Sequence, residues 1–334
     1  MNKKFIALAV AALVSGAANA ASIYENDTTT FNLKGEMDTY LSQYDVDHAA
    51  GTADESYDAD VDVWVKVQID AEHQLSETVK VFGSFEIENG VGFAPGDNDD
   101  KDVVTDDEYF GAMFGDSFGI AVGEVGDFGD SLDAITIDNT NEGYGYMDDE
   151  ATSFEGNGHA ISLKYDANGL KLIADTYLHQ DEDLDNAYGI SASYTVAGFN
   201  IGASYQDHGN RNGYSTESAT SDDDNDIYGF KAGYTGDNFS VAAHYVNEQI
   251  DSTDIEAIGV AADYTIDATR VYVSAYTADA DVDGSEDLNA YTLGVDYTFS
   301  DNLKGFVEYS AKENVGYTED EDTALALAGM YFYF

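Results

Sequence analysis

The segment Asp60-Val-Asp-Val-Trp-Val-Lys-Val-Gln-Ile-Asp70 contains the pattern that decides the fold of this chain. Its β-branched apolar residues occupy every second position, so a strand would gather them on one face, whereas a helix would scatter them round its circumference. The segment from Val79 to Glu88 repeats the alternation, and Ser76-Glu-Thr78 connects the two. Together the two segments predict a hairpin of strands that each have one apolar face.

The same unit recurs in the second half of the chain, where a strand runs from one tyrosine to the next across a short turn. The five copies are Tyr165 to Tyr177, Tyr194 to Tyr205, Tyr234 to Tyr245, Tyr264 to Tyr276 and Tyr297 to Tyr309. The spacing leaves about eight residues per strand, which at a tilt of about 40° climb roughly 20–25 Å. That height matches the apolar band of an outer-membrane barrel, with tyrosine girdles at both interfaces.

The periodic segments predict sixteen strands joined by connections that alternate in length. The strands begin near Thr30, Asp60, Val79, Glu108, Phe118, Gly158, Leu170, Ala187, Phe199, Ile227, Phe239, Ile255, Arg270, Leu288, Leu303 and Thr323. Short turns lie near Ser76, Asp116, Asn168, Gly198, Asp237, Asp267 and Asp301. Longer polar loops occupy 45–59, 90–107, 126–157, 179–186, 207–226, 247–254, 279–287 and 311–322. This alternation is typical of an antiparallel up-and-down barrel.

The first twenty residues have the features of a cleaved export signal. Lys3 and Lys4 precede an apolar run over 5–14, and Ala18-Asn-Ala20 has the small residues of a cleavage site. The apolar run is too short for a membrane helix, which needs roughly 20 residues. We therefore predict a signal peptide over 1–20 and a β-barrel domain over 21–334.

The polarity of the strand faces has two interpretations. On the last strand one face is uncharged, and it comprises Ala324, Ala326, Ala328, Met330, Phe332 and Phe334. In a secreted acidic β-sandwich that binds ligands or partners, such a face would form the core; in a transmembrane barrel it would meet lipid, around a wet lumen. Periodicity alone does not separate the two, but the export signal, the alternating loops and the tyrosine girdles favour the all-β transmembrane barrel.

The composition argues against several other classes of protein. A formal net charge of −53 disfavours nucleic acid as a partner, and the absence of cysteine excludes disulfides and thiolate chemistry. The six histidines show no metalloprotease spacing and no Gly-x-Ser-x-Gly elbow occurs, so we expect no enzyme and no cofactor. The segment from Asp279 to Gly284 resembles half of a calcium loop, but Ala290 stands where that loop needs glutamate. We expect no dedicated metal site, although the acidic loops suit divalent cations.

Both ends of the mature chain resemble a known family. The start Ala21-Ser-Ile-Tyr-Glu-Asn-Asp27, the terminal Phe334 after alternating aromatic residues, and the long third loop over 126–157 are similar to those of the general porins of the Gram-negative outer membrane. The resemblance implies a homotrimer of sixteen-stranded barrels in outer-membrane lipid, with loop 3 folded inward as a constriction. It also implies passage of small hydrophilic solutes, and an assembly signal formed by Phe332 and Phe334.

The chain departs from the family pattern at the constriction. Asn141-Glu-Gly-Tyr-Gly-Tyr-Met147 stands where enteric porins have a Pro-Glu-Phe-Gly-Gly tip. The wall opposite the loop has several basic residues in the family; Lys66 matches one of them, whereas Glu36, Asp107 and Gly158 replace others.

The acidic residues predict a pore that prefers cations, because rings of carboxylates attract cations and repel anions. Loop 3 lacks Lys and Arg and contributes Asp127, Asp130, Asp133, Asp138, Glu142, Asp148, Asp149 and Glu150. The strand register predicts a lumen lined by the acids Glu36, Asp38, Asp62, Asp70, Glu86, Glu88, Asp175, Asp263, Asp296 and Glu308. Against these acids it places Lys34, Lys66, Lys80, Lys164, Lys171, Lys231 and Lys304. A solute-specific or structural barrel of similar size is the alternative.

Overall fold

Sixteen antiparallel strands form one closed barrel in the computed structural model, which describes residues 21–49, 51–89, 103–152, 154, 158–180, 184–210, 225–250 and 252–334. Each strand pairs with its neighbours in sequence, and the last strand pairs with the first. The strands are β1 Thr29–Asp47, β2 Asp60–Ser76, β3 Val79–Glu88, β4 Val104–Phe114, β5 Phe118–Gly123, β6 Ala160–Ala167, β7 Leu170–Tyr177, β8 Ala187–Val196, β9 Phe199–Gly209, β10 Asn225–Thr235, β11 Phe239–Ile250, β12 Thr253–Ile266, β13 Thr269–Ala280, β14 Leu288–Ser300, β15 Leu303–Glu313 and β16 Asp322–Tyr333.

The predicted strand starts are confirmed to within four residues, and the largest difference is at β4, which begins at Val104 rather than Glu108. There the alternation is broken by a bulge opposite Ser84 and Glu86, and Asp107 adopts the left-handed conformation with φ of 51°. Bulges insert a residue into one strand and so hide its period from sequence analysis. Two short additional strands, Ala21–Glu25 and Glu55–Ser56, pair with β1.

One predicted loop is wrong. The segment 247–254 is not a long polar connection, because β11 ends at Ile250, β12 begins at Thr253, and these two residues pair directly. Polar residues there continue the ladder at the barrel rim, so composition alone suggested a loop. Most of the predicted loops over 90–107 and 207–226, and the predicted signal peptide over 1–20, lie outside the described residues.

The faces have the inverted polarity expected of a membrane barrel rather than a sandwich. Apolar side chains on the outer face are exposed, as at Val61, which is 66% exposed, while Asp38 on the inner face is 3% exposed. The last strand follows the prediction, since Met330 and Phe332 are exposed and Tyr331 between them is buried. The closed barrel therefore overturns the β-sandwich alternative.

Loop 3 joins β5 to β6 over 124–159, and its described residues fill one side of the interior. The largest apolar cluster joins Leu132, Ile135 and Met147 of this loop to side chains of β10–β14. Fully burying a side chain such as Ile135 contributes roughly 1.5–3 kcal/mol, so packing stabilises the loop against the wall. The described helices are single turns, Leu132–Ala134, Tyr146–Glu150 and Val315–Tyr317, and none could cross a membrane.

Candidate pore lining and constriction

Loop 3 folds into the barrel and runs along the wall from β6 to β15, as predicted. Its first part is held by Asp175 of β7, whose carboxylate accepts from the backbone N–H of Ser131 at 2.5 Å. The carbonyl oxygen of Ile135 lies 2.8 Å from Nδ1 of His244 on β11. Because these two anchors lie four strands apart, the loop lies inside the barrel along the wall rather than extending outward. We call the strand faces from β6 to β15 the covered wall.

The tip of loop 3 is fastened beside the seam where β16 pairs with β1. Glu308 of β15 accepts backbone N–H groups from Asn141 at 3.0 Å and Glu142 at 3.1 Å. The carboxylate of Glu142 accepts from the hydroxyl groups of Tyr40 at 3.0 Å and Tyr331 at 2.5 Å. Burial raises the pKa of Glu142, and the two tyrosine hydrogen bonds oppose that rise. Backbone and side-chain contacts together fix the position of the tip.

The predicted constriction acids divide into two groups. Asp127, Asp133, Asp138 and Asp148 are exposed to the lumen, and Asp133 lies 3.1 Å from Lys171. Glu142 and Glu150 are bound to the wall, with Glu150 2.5 Å from Lys312, and the side chain of Asp149 lies outside the described part of the structure.

Asp130 does not line the pore constriction, and the prediction is wrong at this residue. It is 2% exposed and accepts hydrogen bonds from the Tyr177 hydroxyl and from the backbone N–H of Leu132 at 2.5 Å. Its carboxylate supports the first turn of the loop and does not face the lumen. A helical turn begins at Leu132, and its free N–H group needs such an acceptor.

Loop 3 leaves most of the lumen faces of β1–β4 uncovered, apart from contacts of Glu142 with Tyr40 and of Phe128 with Phe82, and we call these faces the open wall. All six predicted wall residues lie here: Glu36, Asp38, Asp62, Lys34, Lys66 and Lys80. Each lysine has a carboxylate beside it, with Asp70 3.5 Å from Lys34, Glu86 3.4 Å from Lys66 and Glu72 2.8 Å from Lys80. The open wall therefore has carboxylates in excess of ammonium groups, but Asp38 and Glu86 are buried, at 3% and 1% exposed, so the prediction that Asp38 lines the free lumen is corrected.

Three carboxylates on the open wall converge at the bulge. Ligand oxygens of Glu86, Asp106 and Asp107 lie within 4.8 Å of one another. Consecutive strand residues normally point to opposite faces, and the left-handed backbone at Asp107 removes that alternation. In the described part of the chain this is the group of acids whose spacing suits a hard cation. Sequence analysis missed it, although the broken alternation at 104–108 was a usable signal.

The covered wall also has charges that the sequence analysis assigned to the lumen or missed. Lys231 donates to the carbonyl oxygens of Asp133 at 3.2 Å and Thr136 at 2.5 Å. Lys304 donates to Asn141 Oδ1 at 2.8 Å, and Arg270, which was missed, lies 2.7 Å from Asp296. Asp175, Glu308, Lys164, Lys171, Lys231 and Lys304 have the predicted face but contact loop 3.

Comparison with known proteins decides the family. A profile described as Gram-negative porin matches residues 7–332. The chain belongs to the Gram-negative porin family. Proteins of this family are channels rather than enzymes, and they place this porin in the outer membrane.

Individual porins have low sequence identity to this chain but a similar fold. The outer membrane porin protein OmpD of Citrobacter koseri is 23% identical over 355 residues, covering 96% of this porin and 95% of OmpD. The loop L8 deletion mutant of OmpT from Vibrio cholerae superimposes with a TM-score of 0.70 at 16% identity, over 92% of this chain and all of that one. OmpF of Salmonella typhi, solved with daunomycin, gives 0.66 at 18% identity, over 94% of this chain and all of that one. These structures confirm the barrel fold.

Proposed function

We propose that this porin forms a water-filled, cation-preferring channel for passive diffusion of ions and small hydrophilic solutes. The observation that carries the proposal is that both borders of the free lumen are acidic. On one side lies the open wall, and on the other lie the exposed carboxylates of loop 3, including Asp127, Asp138 and Asp148. A passage lined on both sides by carboxylates raises the local cation concentration and repels anions.

The basic residues of the barrel support this assignment by their positions. The lysines of the open wall each lie beside a carboxylate, so their charge is offset locally. Lys231, Arg270 and Lys304 contact loop 3 and are held against the covered wall. An ion crossing the lumen therefore meets more negative than positive groups.

The export and assembly of the chain complete the proposal. The mature protein begins at Ala21, as the cleavage-site residues Ala18-Asn-Ala20 indicate. It inserts into outer-membrane lipid and forms a homotrimer, as the family resemblance implies. Phe332 and Phe334 act as the assembly signal. The position of Phe334 supports this role. Its backbone forms two hydrogen bonds with that of Gly35, at 2.8 and 2.9 Å, where β16 pairs with β1.

A planar-bilayer recording in a tenfold potassium chloride gradient tests the ion preference. The reversal potential should have the sign of a cation-selective pore and approach, without reaching, the limit of about 59 mV for a tenfold ratio. It should weaken but persist as salt rises, since screening shortens to a few ångströms near 1 M. A reversal potential near zero, or of the opposite sign, refutes the proposal.

A variant locates the charges responsible. The triple substitution Asp127→Asn, Asp138→Asn and Asp148→Asn should move the reversal potential toward zero, because it neutralises the loop side of the free lumen. Asp237→Asn is the control, since Asp237 lies in the turn joining β10 to β11, outside the lumen. Equal shifts in the two proteins would show that general surface charge, not the loop, sets the selectivity.

A further inference from the structure

Three glycines on neighbouring strands of the covered wall lie directly beneath loop 3. They are Gly189 on β8, Gly202 on β9 and Gly229 on β10. We propose that they form a seat that fixes how far loop 3 projects into the lumen, and that this distance sets the width of the pore. The inference rests on the proposed channel function and adds the residues that position its constriction.

The seat is contiguous in the sheet. Gly202 pairs with Lys231 and Gly229 pairs with Ser204, while Gly189 pairs with Gln206 on the same strand as Gly202. The loop residues that lie against them, Ser131, Ala134 and Ile135, are all buried. The first turn of loop 3 therefore rests in a depression that spans three strands.

Loop 3 occupies all of the nearby space at Gly202, and it shares that space with Tyr245 of β11 at Gly229 and with Asp175 of β7 at Gly189. A Cβ on Gly202 would collide with the carbonyl oxygen of Ala134, and would lie 2.9 Å from its carbonyl carbon and 3.3 Å from its Cα. A Cβ on Gly229 would lie 2.9 Å from Cδ1 of Ile135, and one on Gly189 would collide with the Ser131 hydroxyl. At Gly202 the obstructing atoms are backbone, so no side-chain rotation can relieve the contact.

The loop cannot slide along the wall to avoid an added methyl group. Ser131 is held by Asp175 on β7, while Lys231 on β10 holds Thr136 through its carbonyl oxygen at 2.5 Å. These anchors flank the Gly202 contact on both sides. The remaining direction of movement is away from the covered wall and toward the open wall, which narrows the free lumen.

The substitution Gly202→Ala tests the seat. Alanine is otherwise at least as favourable as glycine within a strand, so a loss comes from the loop contact rather than the strand. We expect a lower single-channel conductance with unchanged heat-modifiable migration of the folded barrel. The matched control is Gly233→Ala, on the same lumen face of β10, where the nearest atoms belong to β11, with Val241 O at 3.2 Å and Ala242 Cβ at 3.6 Å. The control should conduct as the wild type does.

A second background makes the test independent of folding. In a barrel whose residues 126–157 are replaced by a short glycine and serine linker, Gly202→Ala should change neither conductance nor folded yield. A G202A barrel that folds poorly only when loop 3 is present therefore supports the seat. An unchanged or raised conductance in the full-length variant, or the same loss in both backgrounds, overturns it. A wild-type barrel that conducts no ions would instead refute the proposed function.

Discussion

The open and covered walls of this barrel have similar charged residues, but those on the covered wall are hydrogen-bonded to loop 3. On the open wall, Glu36 and Asp62 belong to a face that loop 3 does not cover. On the covered wall, Glu308 accepts two backbone N–H groups and Lys231 donates to two carbonyl oxygens. A charge covered by another segment loses water and must be compensated by hydrogen bonds or an opposite charge. The comparison shows that facing the lumen and facing the permeating ion are different properties.

Strands β8–β10 of the covered wall have smaller residues at some inner positions than the open wall does. The open wall has long residues such as Trp64, Lys66 and Lys80, whereas β8–β10 present Gly189, Gly202 and Gly229 to the interior. A loop can approach the backbone closely only where side chains are absent. The three glycines explain where the first turn of loop 3 rests on the covered wall.

Deleting part of loop 3 should have the largest effect on conduction. Deleting 139–149 should raise the single-channel conductance, because this segment lies within the lumen. It should also weaken cation preference, because Arg270 and Lys304, which contact Asn139 and Asn141, become uncovered. Bilayer recordings measure both quantities. A folded deletion variant with wild-type conductance would mean that the loop does not limit the pore.

Removing one carboxylate from the open wall should have a smaller effect, which is confined to ion selectivity. Glu86→Gln removes one carboxylate and leaves Lys66 without its neighbour at 3.4 Å, so the wall gains net positive charge. The reversal potential should move toward zero with little change in conductance. The control is again Asp237→Asn. If the two variants give the same reversal potential, the Glu86 region does not border the ion path.

Acidification should reduce cation preference gradually. Burial, together with the nearby Asp106, raises the pKa of Glu124 to about 7. A raised pKa means that the Glu124 carboxylate becomes neutral as pH falls from about 8 through 6, before ordinary acids do. The reversal potential should decrease over that range, and Glu124→Gln should flatten the change near pH 7. A constant reversal potential from pH 8 to 5 would contradict this assignment.

Changing the seam should affect conduction least. Deleting Phe334 removes two backbone hydrogen bonds to Gly35 and the ring that lies against that glycine. We expect a lower yield of folded barrel in the outer membrane and a normal conductance in the channels that form. Phe334→Tyr keeps the backbone and an aromatic ring, and is the control. Wild-type yield after the deletion would show that the terminal residue is not needed for assembly.

The strand plan could be predicted from sequence because it depends on local alternation. Period two, tyrosine spacing and turn length together predicted the sixteen strands and their inner faces, including Lys66 and Glu308. The errors arose where the alternation stops, at the bulge near Asp107 and at the tight turn after Ile250. At both places a long-range pairing, rather than composition, decides the backbone path.

The sequence by itself determined that this chain has apolar outer faces, polar inner faces and a long acidic third loop, because each property depends on residues that are close together in the sequence. Only the tertiary structure decided which inner residues border the free lumen. Asp130 became a buried support for loop 3, whereas Asp127, three residues earlier, stayed exposed. Strand periodicity fixes a direction for each side chain, but burial depends on where a loop from elsewhere in the chain finds room to pack.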